Sequence, residues 1–113
     1  MSFRTRILTP GATVFDAETE GLIAPGTEGF FGVLTGHEPT LATVAAGVLI
    51  VRQSSGSLFF ALGDGVAEIT PGAVTVYAEY AELAAKETEA EDKLEAYLKQ
   101  MATSVPSAAG VEE

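Results

Sequence analysis

The chain lacks several residue types that particular kinds of chemistry require. It has no cysteine and no tryptophan, and its one histidine is His37. Disulfides and thiolate metal sites are therefore excluded, and a cluster of histidines and cysteines around a transition metal is not available. No lysine precedes Lys86, so the glycine-rich segment before it cannot be a phosphate-binding loop of the kind that ends in Gly-Lys.

Sequence patterns of catalysis are missing as well. The chain has no G-x-S-x-G nucleophile elbow and no D-x-D-x-D-G calcium loop. We interpret His37 as a turn residue, and Asp16 with Glu18 as the solvated face of a strand. We therefore expect a protein that is not an enzyme and that has no catalytic residues, no metal site and no cofactor.

Positive charge is scarce, with 6 Lys and Arg against 16 Asp and Glu and a net charge of −10 at pH 7. This balance argues against nucleic acid or an anionic membrane surface as the direct partner. No apolar run approaches the length of a membrane span, and the N-terminal residues lack the apolar core of a signal peptide. We expect neither nucleic-acid binding nor direct insertion into a membrane.

The first part of the chain is rich in short β-type segments. Turn signals such as Thr9-Pro10-Gly11, Ser54-Ser55-Gly56 and Thr70-Pro71-Gly72 separate them at intervals of about 8–12 residues. This spacing predicts an antiparallel β-sandwich domain over residues 1–80. We expect Gly63-Asp64-Gly65 to form a hairpin turn. The side chains expected to point into the sandwich are Phe15, Ile23, Val33, Val48, Ile50, Phe60, Val66, Ile69, Val74 and Val76.

Residues 81–113 form a second region that contains good helix formers. We expect a single C-terminal helix over about residues 82–102, followed by a frayed tail beyond Thr103. Three pairs of opposite charge stand four residues apart, namely Glu82/Lys86, Glu89/Lys93 and Glu95/Lys99. The apolar stripe, expected to pack on the sandwich, comprises Leu83, Ala90, Leu94, Tyr97, Leu98 and Met101.

The most specific segment is Ala24–Leu41, which reads A-P-G-T-E-G-F-F-G-V-L-T-G-H-E-P-T-L. It resembles the signature region of the epsilon subunit of F-type ATP synthase, called delta in mitochondria, where the pattern is near P-G-x-x-G-x-x-G-I-L-P-G-H-x-P-L-L. Further pieces at Ala46–Val51, Phe60–Ile69 and Thr70–Glu79 are similar to later strands of that family, in the same order. The resemblance covers about residues 3–80. It departs from the family pattern at Thr35, where proline is usual.

The resemblance implies a non-catalytic subunit of the rotating central stalk. Such a subunit docks on the gamma subunit and on the loops of the membrane c-ring, and helps couple proton-driven rotation to ATP synthesis. It implies a peripheral position at the cytoplasmic face of the inner (plasma) membrane. A freestanding interaction module on the same sandwich, and an enzyme or small-ligand binder, are the alternatives that the residues alone leave open.

The resemblance also implies which residues meet each partner. The residues expected at the c-ring are Glu28, Gly29, Phe30, Phe31, Thr35, Gly36, His37 and Glu38. For the gamma subunit we expect outward-facing strand residues, namely Leu41, Leu49, Val51 and Leu58.

The helical region is shorter than the two-helix hairpin that restrains ATP hydrolysis in many bacterial relatives. One helix fits after Tyr80, and the arginines of the chain, Arg4, Arg6 and Arg52, all precede it. ATP-binding relatives use an arginine in this helical region. We therefore expect neither an extended inhibitory state nor ATP binding.

Overall fold

The chain folds into a run of strands followed by one helix. A computed structural model describes residues 2–36 and 38–103. The strands are β1 Phe3–Thr9, β2 Ala12–Thr19, β3 Gly21–Gly26, β4 Gly29–Val33, β5 Thr40–Val44, β6 Gly47–Gln53, β7 Gly56–Leu62, β8 Gly65–Thr70, β9 Ala73–Ala78 and β10 Ala81–Ala84, and the helix is α1 Glu87–Thr103.

The strands form a continuous 10-stranded sheet that folds over into two layers. The first layer has the order β4-β3-β6-β7-β10 and the second β5-β8-β9-β1-β2, and the pair Gly26↔Val44 joins them. Across the layers, β2 contacts β6 and β10 without pairing with either. The predicted β-sandwich with one C-terminal helix is confirmed.

One strand pair departs from the expected antiparallel arrangement. β1 lies parallel to β9, with Thr5 opposite Val74 and Ile7 opposite Val76, whereas the other pairs are antiparallel. Parallel neighbours need a long connection, and here almost the whole sandwich lies between the two strands. Turn spacing reports only local hairpins, so the sequence could not indicate this pair.

The core lies between the two layers. In β1 the alternation predicted from sequence is confirmed, because Phe3, Thr5 and Ile7 are buried while Arg4 and Arg6 are exposed. Of the residues expected to point inward, Val33, Phe60, Ile69, Val74 and Val76 belong to the main core, Val48 is buried in a second cluster under the helix, and Phe15, Ile23, Ile50 and Val66 are partly buried.

The faces of β6 are inverted relative to the expectation. Leu49 and Val51, expected outward, are both 0% exposed and lie in the core between the layers. Val48 and Ile50 belong to a cluster on the opposite side, where Ala90 of α1 covers them. Both faces of this strand are therefore apolar, and a strand that is covered on both sides has no polar alternation to show which face is which.

The helix begins later than predicted. Ala81–Ala84 forms β10, which pairs with β7, and α1 starts at Glu87. The expected helix start at about residue 82 is therefore wrong, and Glu82 and Lys86 do not form a pair on the helix. β10 extends the sheet past residue 80, where the boundary between the two regions was expected.

The helix packs on the sandwich as expected through its first turns, because Ala90 is fully buried against β6, β7 and β10. The expected stripe is only partly covered: Leu94 and Tyr97 are partly buried, Leu98 and Met101 are 45% and 41% exposed, and Leu83 lies on β10 at 51% exposed. The expected frayed tail lies outside the described residues.

Gly63-Asp64-Gly65 is a crossing between the layers and not a hairpin turn, because β7 and β8 lie in different layers. A Cβ on Gly65 would lie 2.8 Å from Cα of Ala78, so the absence of a side chain at Gly65 lets β8 approach β9 closely. The Asp64 carboxylate accepts a hydrogen bond of 2.9 Å from the Ala46 N–H, which ties this crossing to the start of β6.

Candidate functional site

The hairpin between β3 and β4 forms an exposed end of the sandwich. Thr27 and Glu28 form its turn, and Gly29 has φ +123°, a conformation that L side chains rarely adopt. Phe30 follows directly and is 70% exposed. The Thr27 hydroxyl lies 2.7 Å from the Thr43 hydroxyl, which fastens the turn to β5. The glycines noted in the sequence therefore shape an exposed tip.

A groove of about 460 Å³ opens beside this hairpin, between β4 and β5. Phe30, Phe31, Leu41 and Thr43 are among its lining residues. Phe31 also packs against the core, and a Cβ on Gly26 would lie 2.9 Å from its ring. The absence of a side chain at Gly26 thus leaves room for the ring of Phe31. The groove is therefore mixed in character, with apolar side chains at Phe30, Phe31 and Leu41 beside the polar Thr27, Glu28 and Thr43.

The structure divides the residues that were expected at the c-ring. Glu28, Gly29, Phe30 and Phe31 lie at the hairpin end of β4. Thr35, Gly36 and Glu38 lie after the other end, and Gly36 adopts φ +84° in the turn there. At about 3.3 Å per strand residue, Glu28 and Thr35 are at most about 23 Å apart, and Phe31 and Thr35 at most about 13 Å apart. His37 lies outside the described residues.

Of the residues expected to meet gamma, Leu41 is the one with a broad exposed surface, at 72%. Leu58 is partly buried against the core, and Leu49 and Val51 are inaccessible in the isolated chain. The last two cannot serve as a surface unless the sandwich opens. The inverted faces of β6 explain both errors.

An apolar row that the sequence did not lead us to expect crosses the outer face of the second layer, with Tyr77 46% exposed and Leu8 and Val66 partly buried. Val66 of β8 is opposite Tyr77 of β9, which is opposite Leu8 of β1. Leu8, Tyr77 and Pro10 also border a shallow groove of about 230 Å³. Alternation around the buried Ile7 and Val76 could have indicated that Leu8 and Tyr77 point outward.

Polar pairs surround these apolar surfaces. The Arg4 Nε donates a hydrogen bond of 2.6 Å to Asp16 on the outer face of β1 and β2. That bond lowers the pKa of Asp16 and raises the pKa of Arg4. Asp16 and Glu18 are exposed, as their interpretation as a solvated strand face predicts.

Tyr80, Tyr97, Glu82 and Lys93 hold α1 to the sandwich, and we call them the helix clasp. The rings of Tyr80 and Tyr97 stack with centroids 4.2 Å apart. Glu82 accepts hydrogen bonds from the Tyr80 hydroxyl at 2.6 Å and from the Lys93 ammonium at 2.9 Å. These bonds lower the pKa of Glu82, while burial and the bond to Glu82 raise the pKa of Tyr80.

The described residues contain neither a cluster for a metal ion nor a candidate membrane-spanning helix. Among residues 2–36 and 38–103, no group of His, Asp and Glu side chains is placed to hold a metal ion. In the same part of the chain, no helix combines the length and the apolar character that crossing a bilayer would need. What the described surface offers is shape, apolar contact and negative charge, which are properties of docking surfaces.

Comparison with known sequences supports this description. Residues 2–84 match the family model for the ATP synthase delta/epsilon chain, beta-sandwich domain. The ATP synthase epsilon chain of Synechococcus sp. (strain WH7803) is 42% identical over 83 residues, or 74% of this chain and 61% of the relative. The chloroplastic ATP synthase epsilon chain of Emiliania huxleyi is 35% identical over 82 residues, or 73% of this chain and 63% of the relative.

Solved structures show the same fold at low sequence identity. A chain in the mitochondrial ATP synthase structure of Euglena gracilis, described as OSCP/F1/c-ring, superimposes with a TM-score of 0.72 at 20% identity, over 98% of this chain and 72% of that one. A chain in the central stalk/c-ring structure of Tetrahymena thermophila mitochondrial ATP synthase gives 0.60 at 14% identity, over 73% and 66%.

The matched segment spans about three-fifths of the curated relatives, at 60% for the epsilon chain of Synechococcus sp. (strain JA-2-3B'a(2-13)), which is 40% identical over 82 residues. Within this chain the family model covers every strand from β1 to β10. The chain therefore belongs to the delta/epsilon family of ATP synthase chains.

Proposed function

We propose that this chain is a non-catalytic subunit of the central stalk of an F-type ATP synthase. In this role it docks the gamma subunit to the c-ring and helps couple proton-driven rotation to ATP synthesis, at the cytoplasmic face of the inner membrane. The observation that carries the proposal is the family match over residues 2–84. The geometry supports it, because Phe30 at the hairpin end and Tyr77 on the outer face of the second layer are exposed apolar side chains, and the exposed Leu41 borders the hairpin groove.

The first area is the hairpin end at Glu28–Phe31, which we assign to the c-ring. Phe30 supplies exposed apolar surface and Glu28 supplies negative charge, and the glycine turn lets another backbone approach closely. Exposed ion pairs contribute about 0–1 kcal/mol each, so the contact depends mainly on shape and apolar area. Thr35, Gly36 and Glu38 would form a separate contact, because β4 separates them from the hairpin.

The second area is the outer face of the second layer, which we assign to gamma. Leu41 keeps its expected role there, and Tyr77, Val66 and Leu8 replace the buried Leu49 and Val51. A rotor subunit must transmit torque through a stable contact. A continuous apolar row on the rigid sheet provides such a contact better than scattered charges in a chain with a net charge of −10.

One crosslinking experiment and one binding experiment test these assignments. In reconstituted synthase, a cysteine at Glu28 is expected to crosslink to a c subunit, and the same probe at Ser55, in the β6–β7 turn, is the matched control. In a binding assay with purified gamma, Tyr77→Asp is expected to weaken binding while Leu83→Asp, on β10, leaves it unchanged. Tyr77 and Leu83 are 46% and 51% exposed, so neither substitution removes core packing.

The outcomes separate the alternatives. Crosslinking from position 28 to gamma alone would contradict the c-ring assignment. Equal loss of gamma binding in both aspartate variants would contradict the assignment of the second layer. If the chain copurifies with neither gamma nor the c-ring from solubilised membranes, the freestanding interaction module is the better description.

A further inference from the structure

The helix leaves part of the outer face of the first layer open. That layer has the order β4-β3-β6-β7-β10, and α1 lies over β6, β7 and β10. Leu22, Ala24 and Val33 of β3 and β4 point into the core. Because strand side chains alternate, Ile23 and Leu34 lie on the outer face. Ile23 is partly buried and Leu34 is 69% exposed, so the sheet continues beyond the helix as an incompletely covered apolar face.

A groove of about 460 Å³ occupies this open face. It lies over β3, between β4 and β6, and its lining residues include Ile23, Gly32, Leu34 and Ile50. Ile50 also packs against the cluster that contains Ala90 of α1, so the groove extends up to the helix. β3 is paired with a strand on each side, so the groove offers a floor of side chains and not a free strand edge.

The open face has the width of one helix. Neighbouring strands lie about 4.8 Å apart, so β3 is about 10 Å from β7, the middle strand of the three under α1. Packed helices have interaxial distances of about 8–10 Å. A second helix centred over β3 would therefore lie against the sheet and against α1 at the same time. A helix also forms its own backbone hydrogen bonds, which suits a floor without a free strand edge.

The flank of α1 that faces this space can be identified from the contacts of the helix. Ala90 points to the sheet, and Lys93 lies on the flank towards β10, where its ammonium donates a hydrogen bond of 2.9 Å to Glu82. Successive helix residues are rotated by about 100°, so Leu94 and Leu98 lie on the opposite flank, towards β3. Leu94 is partly buried and Leu98 is 45% exposed. This flank therefore offers a second apolar wall.

Glutamates continue the same flank towards the start of the helix. The exposed Glu87 and Glu91 precede the two leucines at a spacing of four, three and four residues, which is the spacing of a helix–helix seam. Glu20 and Arg52 line the groove on the sheet. By the same rotation, the lysines of the helical region lie on the β10 flank or away from the sheet. Three carboxylates therefore border the space, and one guanidinium offsets them only in part.

We propose that this space, which we call the helix seat, binds an amphipathic helix of a partner protein that carries lysine or arginine beside its apolar stripe. The stripe packs on the sheet floor and on Leu94 and Leu98, and the cations meet Glu87 and Glu91. A second copy of this chain fits poorly, because its net charge is −10 and its own helix would bring glutamates to this flank. Neither the hairpin end nor the outer face of the second layer takes part, so this binding is independent of the rotor docking proposed above.

The test uses the full chain and a synthetic helical peptide of about 18 residues, which is about 27 Å long. The peptide carries leucines with helical periodicity and two lysines that flank them in one half. Its matched control has glutamate in place of both lysines and keeps every leucine. We expect saturable binding of the lysine peptide, with amide exchange slowed in α1. The glutamate peptide is expected to bind at least about fivefold more weakly.

Protein variants locate the binding. Glu91→Lys is expected to weaken binding of the lysine peptide about fivefold and to strengthen binding of the glutamate peptide. Asp92→Lys, the matched change on the side of α1 away from the sheet, should leave both within about twofold. Leu34→Asp should weaken binding about tenfold, and Leu83→Asp on β10 should leave it within about twofold. Leu34 and Leu83 are 69% and 51% exposed, so circular dichroism should show both variants folded.

Three results would overturn the proposal. Equal binding of the two peptides would remove the charge assignment. Equal effects of Glu91→Lys and Asp92→Lys, or of Leu34→Asp and Leu83→Asp, would move the site away from the helix seat. If a chain that ends after Thr103 binds the lysine peptide several-fold more tightly, residues 104–113 are the occupant and not a partner. Crosslinking to a c subunit in assembled synthase tests the rotor assignment separately, so either proposal can fail alone.

Discussion

Two valines on the same strand provide a direct test of how the helix covers the sandwich. Val48 and Val51 of β6 are both buried, at 9% and 0% exposed, but they face opposite sides. Val51 lies in the core between the layers, and Val48 lies in the cluster with Ala84 and Ala90 of α1. The substitution Val→Ala at each position therefore removes the same groups from two different environments.

The expected cost follows from the groups removed. Two methyl groups at about 0.8 kcal/mol each give about 1.6 kcal/mol of lost transfer free energy. The cavity left behind raises this to about 2–3 kcal/mol at the better-packed Val51. In the full chain, both variants should lower the free energy of unfolding, and the melting temperature should fall by about 4–8 °C for each kcal/mol.

The decisive measurement repeats both substitutions in a chain that ends after Ala85. This cut keeps β10 and removes α1, whereas a cut after Tyr80 would also remove a strand that pairs with β7. Without the helix, Val48 loses its contact with Ala90 and keeps only its neighbours on the sheet, so Val48→Ala should cost clearly less than in the full chain, and Val51→Ala should keep its full cost. Urea unfolding of the four variants and two parent chains gives these values. If Val48→Ala lowers the free energy of unfolding by the same amount in the shortened chain as in the full chain, α1 does not cover Val48.

Other substitutions test the layer crossing, the helix clasp and the role of the helix. Gly65→Ala should cost about 1–3 kcal/mol in urea unfolding, because its Cβ would overlap the backbone of β9, while Gly72→Ala, with open space around it, should cost little. The pKa of Glu82 is lowered in the folded state, so its contribution to stability is present above the ordinary glutamate pKa and is lost as the pH falls through the folded-state pKa. Amide exchange in α1 should accordingly quicken at acid pH, and Glu82→Gln should remove that pH dependence. Tyr97→Ala should lose about 0.5–1.5 kcal/mol of ring stacking and Tyr97→Phe should retain it, as measured by helix exchange; equal effects would contradict the stack. In assembled synthase, ending the chain after Ala85 should change ATP hydrolysis only slightly, and a several-fold rise would show that α1 is inhibitory.

Most strands could be located from sequence because local chemistry decides them. The alternation of Phe3, Thr5 and Ile7 against Arg4 and Arg6 requires one buried and one solvated face, and β1 has both. Glycine and proline turns mark where segments end, since only certain backbone conformations suit them. The order of these segments, with the glycine-rich hairpin region, was sufficient to indicate the family.

β10 shows where local preference fails. Its residues Ala81–Ala84 are mostly good helix formers, and they continue into a helical sequence. Pairing with β7, which places Leu83 opposite Phe60 and Ala84 opposite Phe59, overrides that preference. Helix propensities amount to only a few tenths of a kcal/mol per residue, and a strand ladder formed against the sandwich outweighs them.

By itself the sequence determined the fold class, the existence of a single C-terminal helix and the glycine-shaped hairpin, because each depends on the residues of one segment. The tertiary structure alone decided which face of β6 is core, that β1 lies beside β9, and that the signature residues separate into two groups along β4. These features depend on what covers a strand from outside its own segment. A side chain buried by a distant helix and one buried by a facing sheet read alike in the sequence, and only the folded chain distinguishes them.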